Sequence, residues 1–173
     1  MNGNDIKTYI QRNPSAYGGI LQKKRAGRRR GRPLHTKFSM HVVLRSSQAR
    51  GQWSFLRHKF KILHIIEHFS DKYQIKILSM ANVGNHIHMQ VRLRRQNTWN
   101  PFIRAITSAI VAAVTKNRSR KFWDYRPFTN LVFTHRYFLK LKDYIEMNQL
   151  EGVGLNRAKA RRLLKLGILI DSG

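Results

Sequence analysis

The amino-acid sequence predicts an α+β protein with a ferredoxin-like antiparallel sheet and helices on one face of that sheet. Two periodicities support this prediction: apolar residues at alternate positions indicate strands, and apolar residues three or four positions apart indicate helices. Their order is strand, helix, strand, strand, helix, strand, followed by further helices. This order is the ferredoxin-like succession, in which helices cover one face of an antiparallel sheet.

The first half of the fold is predicted to contain three strands and one helix. A strand over residues 37–45 alternates apolar and polar side chains, and a helix follows over residues 53–72. The helix stripe expected to face the core consists of Leu56, Phe60, Leu63 and Ile66. Strands over residues 74–83 and 86–94 then form a hairpin, because Gly84-Asn85 between them is a turn dipeptide.

The second half is predicted to contain a helix over residues 99–115, a strand over 130–134 and a helix over 139–150. Asn156 is expected to cap a last helix that runs through residue 166. Three parts result. They are a basic flexible arm over residues 1–36, a folded domain over 37–154, and a basic C-terminal helix and tail over 155–173.

The charge of the chain indicates its class of partner. Lysine and arginine total 34 against 8 acidic residues, a formal net charge of +26. Such an excess of positive charge indicates a polyanionic binding partner. Nucleic acid is the first candidate, because counterions are released when basic side chains neutralise its phosphates. The absence of cysteine excludes disulfides and thiolate metal sites. The longest apolar stretch, residues 105–114, is too short to span a bilayer, so we expect a soluble cytoplasmic protein without a membrane partner.

The segment Asn85-His86-Ile87-His88-Met89-Gln90-Val91 carries the clearest chemical signal. On a strand, His86 and His88 share one face while the apolar residues share the other. Two imidazoles side by side on a rigid element could hold one metal ion, with His41 beside them if its strand is adjacent. Gln90 shares this face and could assist a ligand or a phosphate. A half-exposed histidine pair that binds nothing is the commoner case, so this alternative stays open.

A second signal lies on the predicted helix over residues 139–150. Tyr144 and Asn148 are one turn apart and share a helix face. An asparagine carbonyl oxygen could join two imidazoles around a hard or borderline cation, and a nearby tyrosine could attack a phosphate. Tyr137, two turns earlier, is a rival nucleophile. Tyr144 could instead be a core residue, and Asn148 could simply end the helix.

Together the two motifs resemble those of the single-tyrosine transposases with a His-hydrophobic-His motif, the small HUH enzymes of simple bacterial insertion sequences. The pattern is most similar to the REP-associated tyrosine transposases. The strand segment 85–91 resembles the family's Asn-His-hydrophobic-His strand, and Tyr144-Ile145-Glu146-Met147-Asn148 resembles its Tyr-Ile-x-x-Asn helix. Gly84 and Gln149 replace prolines that are common in the family.

The resemblance implies a catalytic domain that cuts and rejoins single-stranded DNA next to a hairpin. His86, His88 and Asn148 would bind Mg²⁺ or Mn²⁺, and Tyr144 would form a 5′-phosphotyrosine intermediate. A bacterial, nucleoid-associated protein is expected, and monomer or homodimer stays open. A non-catalytic basic nucleic-acid-binding protein, a domesticated relative of the family, is the alternative.

The basic residues around the motifs are predicted to contact DNA phosphates. Three continue the histidine strand, and seven lie in the arm. They are Arg92, Arg94 and Arg95, and Lys23, Lys24, Arg25, Arg28, Arg29, Arg30 and Arg32. Trp99, Trp123 or Tyr125 could stack on an unpaired base, although each is more commonly a core residue.

Overall fold

The computed structural model describes residues 34–117 and 121–166 of the chain. Within them, four strands form one antiparallel sheet and four α-helices pack on it or beside it. The strands are β1 (Ser39–Arg45), β2 (Ile75–Asn82), β3 (His86–Leu93) and β4 (Phe128–Val132). The helices are α1 (Lys59–Tyr73), α2 (Trp99–Thr115), α3 (His135–Gly152) and α4 (Arg157–Lys165).

The sheet has the strand order β2-β3-β1-β4, and each neighbouring pair is antiparallel. The sequential strands β2 and β3 form the predicted hairpin, and Gly84 in its turn has a φ of 92°, which a residue with a Cβ rarely adopts. The long connections through α1 and α2 bring β1 between β3 and β4. The predicted ferredoxin-like α+β fold is therefore confirmed.

The main core lies on one face of the sheet, beneath α1 and α2. Alternate residues of β1 and β3, including Met40, Val42 and Met89, are buried there. Ile66 of α1 and Phe102 of α2 pack in the same cluster. Burial of each such side chain contributes about 1.5–3 kcal/mol. This core fixes the strand register, because a shift by one residue would turn the opposite set of side chains inward.

The first predicted helix begins later than expected. Residues 51–53 form a short 3-10 turn, and Phe55 is fully buried beside the hairpin, where its N–H donates to the Gly84 carbonyl at 2.7 Å. The Asn82 side-chain amide also donates to the Phe55 carbonyl at 2.9 Å. These bonds hold the segment in a non-helical form. The prediction that Phe60 faces the core is wrong, since it is 63 % exposed.

The predicted placement of helices on one face holds for α1 and α2, whereas α3 lies on the opposite face of the sheet. Leu141 and Ile145 of α3 pack against Ala81 of β2 and Val132 of β4 in a second, smaller cluster. The helix starts one turn before the predicted residue 139, because the Thr134 side chain accepts a hydrogen bond from the Tyr137 N–H and caps it. Consequently α3 crosses the face that carries the histidines.

The far end of α3 lies very close to β2. A Cβ added at Gly152 would come within 2.5 Å of the Asn82 carbonyl oxygen, so glycine permits the helix to reach the strand. Asn156 then caps α4 as predicted, by accepting from the Lys159 N–H at 2.9 Å. Within residues 34–117 and 121–166, no helix is long and apolar enough to cross a bilayer.

Candidate active site

The histidines of β1 and β3 meet on the face beneath α3. His88 pairs with Val43 and Gln90 pairs with His41 across the β1–β3 ladder, which places His41 diagonally beside His88. Their rings stack with centroids 5.4 Å apart, and His41 Nε2 lies 3.2 Å from His88 Nδ1 in a hydrogen bond. His41 thus lies beside the histidine pair, as expected if its strand is adjacent to theirs.

His86 and His88 also contact each other, with ring centroids 4.7 Å apart. His86 Nδ1 lies 2.6 Å from the Asn85 side-chain oxygen. Since an amide oxygen only accepts, the neutral His86 ring carries its proton on Nδ1 and leaves Nε2 unprotonated. His88 Nε2 is buried and has no hydrogen-bond partner within residues 34–117 and 121–166.

Burial keeps these rings neutral. It lowers the pKa of His41 to about 4. Burial, together with the neighbouring His86 and His41, lowers the pKa of His88 to about 3. Burial and the Arg45 guanidinium lower the pKa of His86. All three imidazoles are therefore uncharged near neutral pH, and each has one ring nitrogen that carries a lone pair instead of a proton.

Tyr144 reaches this cluster from α3. Its ring stands edge-on to the His88 ring, with centroids 5.4 Å apart and an angle of 89°. The neighbouring residue Ile145 is fully buried, which fixes the helix on the sheet, while Tyr144 itself is 41 % exposed. The alternative in which Tyr144 is a core residue is therefore wrong.

Tyr137, the rival nucleophile, lies in a different environment. It packs against the smaller apolar cluster, and its hydroxyl accepts a hydrogen bond from the Asn130 amide at 3.1 Å. It is not one of the residues that line the cavity beside the histidines. Of the two tyrosines, Tyr144 is the one in contact with His88.

The cavity has a volume of about 300 Å³ and is open to solvent on one side. It brings together His86, His88 and Tyr144, three of the residues predicted from the sequence. Its complete lining is His41, Val43, Arg45, His86, His88, Tyr125, Arg126, Phe128 and Tyr144.

Asn148, the predicted third ligand, does not line this cavity. Its side-chain amide nitrogen donates to the Tyr144 carbonyl at 2.7 Å within α3. This bond uses the nitrogen and leaves the side-chain oxygen as the acceptor that a cation would need. The structure thus places the Asn148 side chain one turn from Tyr144 but outside the cavity that the histidine rings line.

Sequence reasoning missed two basic residues of the cavity, Arg45 and Arg126. Arg45 was detectable, since it shares the strand face of His41, and it forms an ion pair with Asp124 at 3.7 Å. Asp124 also accepts from the N–H and the hydroxyl of Ser47, each at 2.7 Å. These bonds hold the irregular segment that carries Tyr125 and Arg126, for which the sequence offers no periodic signal.

The aromatic residues suggested as stacking platforms differ in their surroundings. Trp99 is 2 % exposed in the core. Trp123 packs on the core, and its indole N–H donates to the Thr107 carbonyl at 3.1 Å. Tyr125 is 54 % exposed and lines the cavity. Only Tyr125 of these three offers a ring face beside the histidines.

The donor chemistry of the site fits a divalent cation, although the described residues contain no cluster of three histidine or carboxylate side chains that could hold one. Two neutral imidazoles stand side by side, and among the described residues buried His88 Nε2 has no partner, a costly state for a polar atom. Bonding to a cation would remove that cost. The remaining ligands would have to come from a side-chain amide, from water or from the substrate.

The basic residues predicted to bind DNA are only partly described. Arg92 is exposed on β3, and Arg94 and Arg95 are exposed just beyond its end. Gln90 is fully buried, and hydrogen bonds join its side chain to the hydroxyls of Ser39 and Ser79. The seven arm residues lie outside the described part of the chain. They are Lys23, Lys24, Arg25, Arg28, Arg29, Arg30 and Arg32.

Comparison with solved structures finds the same fold. A REP-associated tyrosine transposase bound to a REP hairpin matches with a TM-score of 0.62 and 14 % identity, over 83 % of this chain and 88 % of that one. A Deinococcus radiodurans protein, provisionally described as a transposase, has a TM-score of 0.45 and 12 % identity, over 73 % and 98 % of the two chains. The second score is too low to indicate a shared fold.

Comparison with protein sequences finds no curated protein that matches the chain significantly. A family model does match it, and the description of that family is "Transposase IS200 like". The match covers residues 35–148, which include β1, both histidines of β3, Tyr144 and Asn148. The chain therefore belongs to the family of IS200-like transposases.

Proposed function

We propose that this chain cuts and rejoins single-stranded DNA next to a hairpin, with Tyr144 as the nucleophile and a divalent cation held by His86, His88 and Asn148. The observation that carries the proposal is the contact between the exposed Tyr144 ring and the His88 ring. In the part of the chain that the structure describes, buried His88 Nε2 has no partner. Both side chains line one open cavity.

The chemistry is an exchange of phosphodiester bonds. The Tyr144 oxygen attacks the scissile phosphorus and loses its proton to solvent, while the bond from phosphorus to the 3′ oxygen breaks and that oxygen takes up a proton. The products are a 5′-phosphotyrosine and a free 3′-hydroxyl. A 3′-hydroxyl later attacks the phosphotyrosine and restores both the DNA bond and the phenol. The two steps have similar energies because each exchanges one phosphate ester for another.

The residues of the site divide this work. His86 and His88 would present their Nε2 atoms to Mg²⁺ or Mn²⁺, and Asn148 its side-chain oxygen. When bound, such a cation polarises a phosphate oxygen and stabilises the negative charge that develops during attack. Arg45 and Arg126 line the same cavity and would bind the phosphates that flank the cleaved bond.

Hairpin DNA is the proposed partner. The chain has a formal net charge of +26, and Arg92, Arg94 and Arg95 are exposed along and just beyond β3. Phosphates that follow this strand would lead directly to His86 and His88. The structurally similar REP-associated transposase is bound to a REP hairpin, which supports the same class of DNA for this chain.

A covalent-adduct assay tests the proposal. The purified protein is mixed with Mn²⁺ and a hairpin-flanked single strand labelled at its 3′ end. The expected product is a labelled protein band on a denaturing gel. Tyr144→Phe should abolish the band, and Tyr137→Phe is the matched control that should keep it. An adduct that survives in Tyr144→Phe, or is lost only in Tyr137→Phe, would contradict the assignment.

A second measurement separates chemistry from binding. His86→Ala should abolish the adduct but keep most of the hairpin affinity, because phosphate contacts supply most of that affinity. Non-catalytic DNA binding is the second candidate function, and the position of Asn148 outside the cavity lining favours it. Tight hairpin binding by the wild type, with no adduct under any divalent cation, would select that function.

A further inference from the structure

The two ring nitrogens of His88 lie in different surroundings, and His41 is the cause. His88 Nδ1 is 3.2 Å from His41 Nε2, whereas His88 Nε2 is buried and none of the described residues bonds to it. One proton lies between the first two atoms, and either ring can donate it. Which ring donates decides whether His88 Nε2 carries a hydrogen or a lone pair.

If His41 donated the proton, neutral His88 would carry its own hydrogen on Nε2. That N–H would be buried without an acceptor, a cost of about 1–3 kcal/mol that a bound cation could not remove. The reverse arrangement places the proton on His88 Nδ1 and exposes a lone pair at Nε2. A lone pair in that position is what a divalent cation requires, whereas an N–H excludes one.

The surroundings of His41 suit this second arrangement. To accept at Nε2, a neutral His41 ring must carry its own proton on Nδ1. Asn130 lies directly across from His41 in the β1–β4 ladder, and its buried side-chain oxygen receives no hydrogen bond from the residues that the structure describes. The residue paired with His41 across the ladder therefore carries an acceptor side chain on the same face of the sheet. Asn130 itself is oriented by the bond from its amide to the Tyr137 hydroxyl.

We propose that His41 is a positioning residue, which accepts the Nδ1 proton of His88 and so presents His88 Nε2, unprotonated, to a divalent cation. This inference rests on the proposed function, in which His88 is a ligand. Asn85 does the same for His86, since its side-chain oxygen accepts the Nδ1 proton of that ring at 2.6 Å. In both imidazoles, a hydrogen bond from Nδ1 to a neighbouring residue thus leaves Nε2 unprotonated and able to bind the cation.

His41 is not itself a third ligand in this arrangement. Its Nε2 lone pair is used by His88, at a separation of 3.2 Å. A histidine that both accepted this bond and bound a cation would need to use its Nδ1, which must then lose its proton. A metal ligand and a positioning residue also differ in substitution: glutamine can accept the His88 proton in place of His41, whereas leucine cannot.

The first test needs only the metal-free wild-type protein. Long-range ¹H–¹⁵N correlation spectra of the histidine rings report which nitrogen carries the proton, and His88→Gln identifies the signals of His88. The expected result is a protonated Nδ1 and an unprotonated Nε2 for His88. A proton on Nε2 of His88 would overturn the inference without any use of an active enzyme.

The second test measures Mn²⁺ binding by electron paramagnetic resonance or calorimetry in two variants. His41→Leu should shift the His88 proton toward Nε2 and weaken Mn²⁺ binding by about 10–100-fold, the usual effect of losing a partner of a metal-binding histidine. His41→Gln should retain the wild-type His88 tautomer and an affinity close to that of the wild type. Equal losses in both variants would contradict a positioning role.

These readouts are independent of the covalent adduct. If His41→Leu does not fold, the tautomer of His88 in the wild-type spectrum and the Mn²⁺ affinity of His41→Gln still test the role of His41. An adduct that depends on Tyr144, combined with a His88 proton on Nε2, would refute the role of His41 and leave the proposed function intact. The expected tautomer and Mn²⁺ affinities without any adduct would refute the proposed function and leave the role of His41 intact.

Discussion

Acid should destabilise the metal-free protein through the buried histidine cluster, and His41→Gln should remove a measurable part of this effect. Burial lowers the pKa of His41 from 6.5 to about 4. At a pH above its pKa in the unfolded chain, the His41 ring is neutral in both the folded and the unfolded state, so it contributes no pH dependence to stability. As pH falls below that value, only the unfolded chain takes up the proton, and the folded state loses stability until the pH reaches the folded value.

The magnitude follows from the two pKa values of His41. At about pH 4.5 the unfolded ring is almost fully protonated and the folded ring mostly neutral. The window between the unfolded pKa and this pH is about two units, and each unit corresponds to 1.36 kcal/mol, so His41 alone costs about 2.5 kcal/mol. For a domain with a stability of about 5–15 kcal/mol, this is a large share.

Urea denaturation followed by tryptophan fluorescence measures the effect, in EDTA and from about pH 7.5 to about pH 4.5. The free energy of unfolding of His41→Gln should fall by about 2.5 kcal/mol less than that of the wild type over this range. His64→Gln is the matched control, because His64 is exposed on α1, and it should behave as the wild type does. Identical acid losses in wild type and His41→Gln would refute the reasoning.

Three further variants test other parts of the structure. Gly152→Ala should lower the free energy of unfolding by about 1–3 kcal/mol, measured in urea, because the new Cβ would lie 2.5 Å from the Asn82 carbonyl oxygen; an unchanged or raised stability would disprove that contact. Asp124→Ala should cost about 1–3 kcal/mol in the same assay, since two Ser47 donors lose an acceptor at 2.7 Å. Tyr125→Ala should weaken single-strand binding by about 1–3 kcal/mol in fluorescence anisotropy while Tyr125→Phe retains it; equal affinities in both would exclude base stacking.

Much of the fold could be predicted because its signals are periodic and local. The alternation around His86 and His88 placed both rings on one face of β3, and the register of β1 then brought His41 beside them. The helix over Trp99–Thr115 matched its predicted bounds, since its apolar stripe is long and uninterrupted. Such patterns survive folding because one face of each element must be buried.

Other features depend on contacts between distant segments, which no local pattern reports. The Phe55 N–H donates to the Gly84 carbonyl in the hairpin turn, and the helix begins only after this segment. The helical spacing that predicted Phe60 to face the core was therefore misleading, since Phe60 is exposed. Arg126 reaches the cavity because Asp124 is bonded to Ser47 far earlier in the chain. Tertiary hydrogen bonds, rather than a periodic sequence pattern, therefore determine that this segment lines the cavity.

The close seating of α3 on its own sheet has a consequence for reaction order. Ile145 is buried on that sheet, and Gly152 allows the helix to approach β2, so Tyr144 meets His88 within a single polypeptide. A lone molecule then brings the proposed nucleophile and the histidine pair together. The rate per molecule should stay constant on dilution, and a mixture of Tyr144→Phe with His86→Ala should show no complementation.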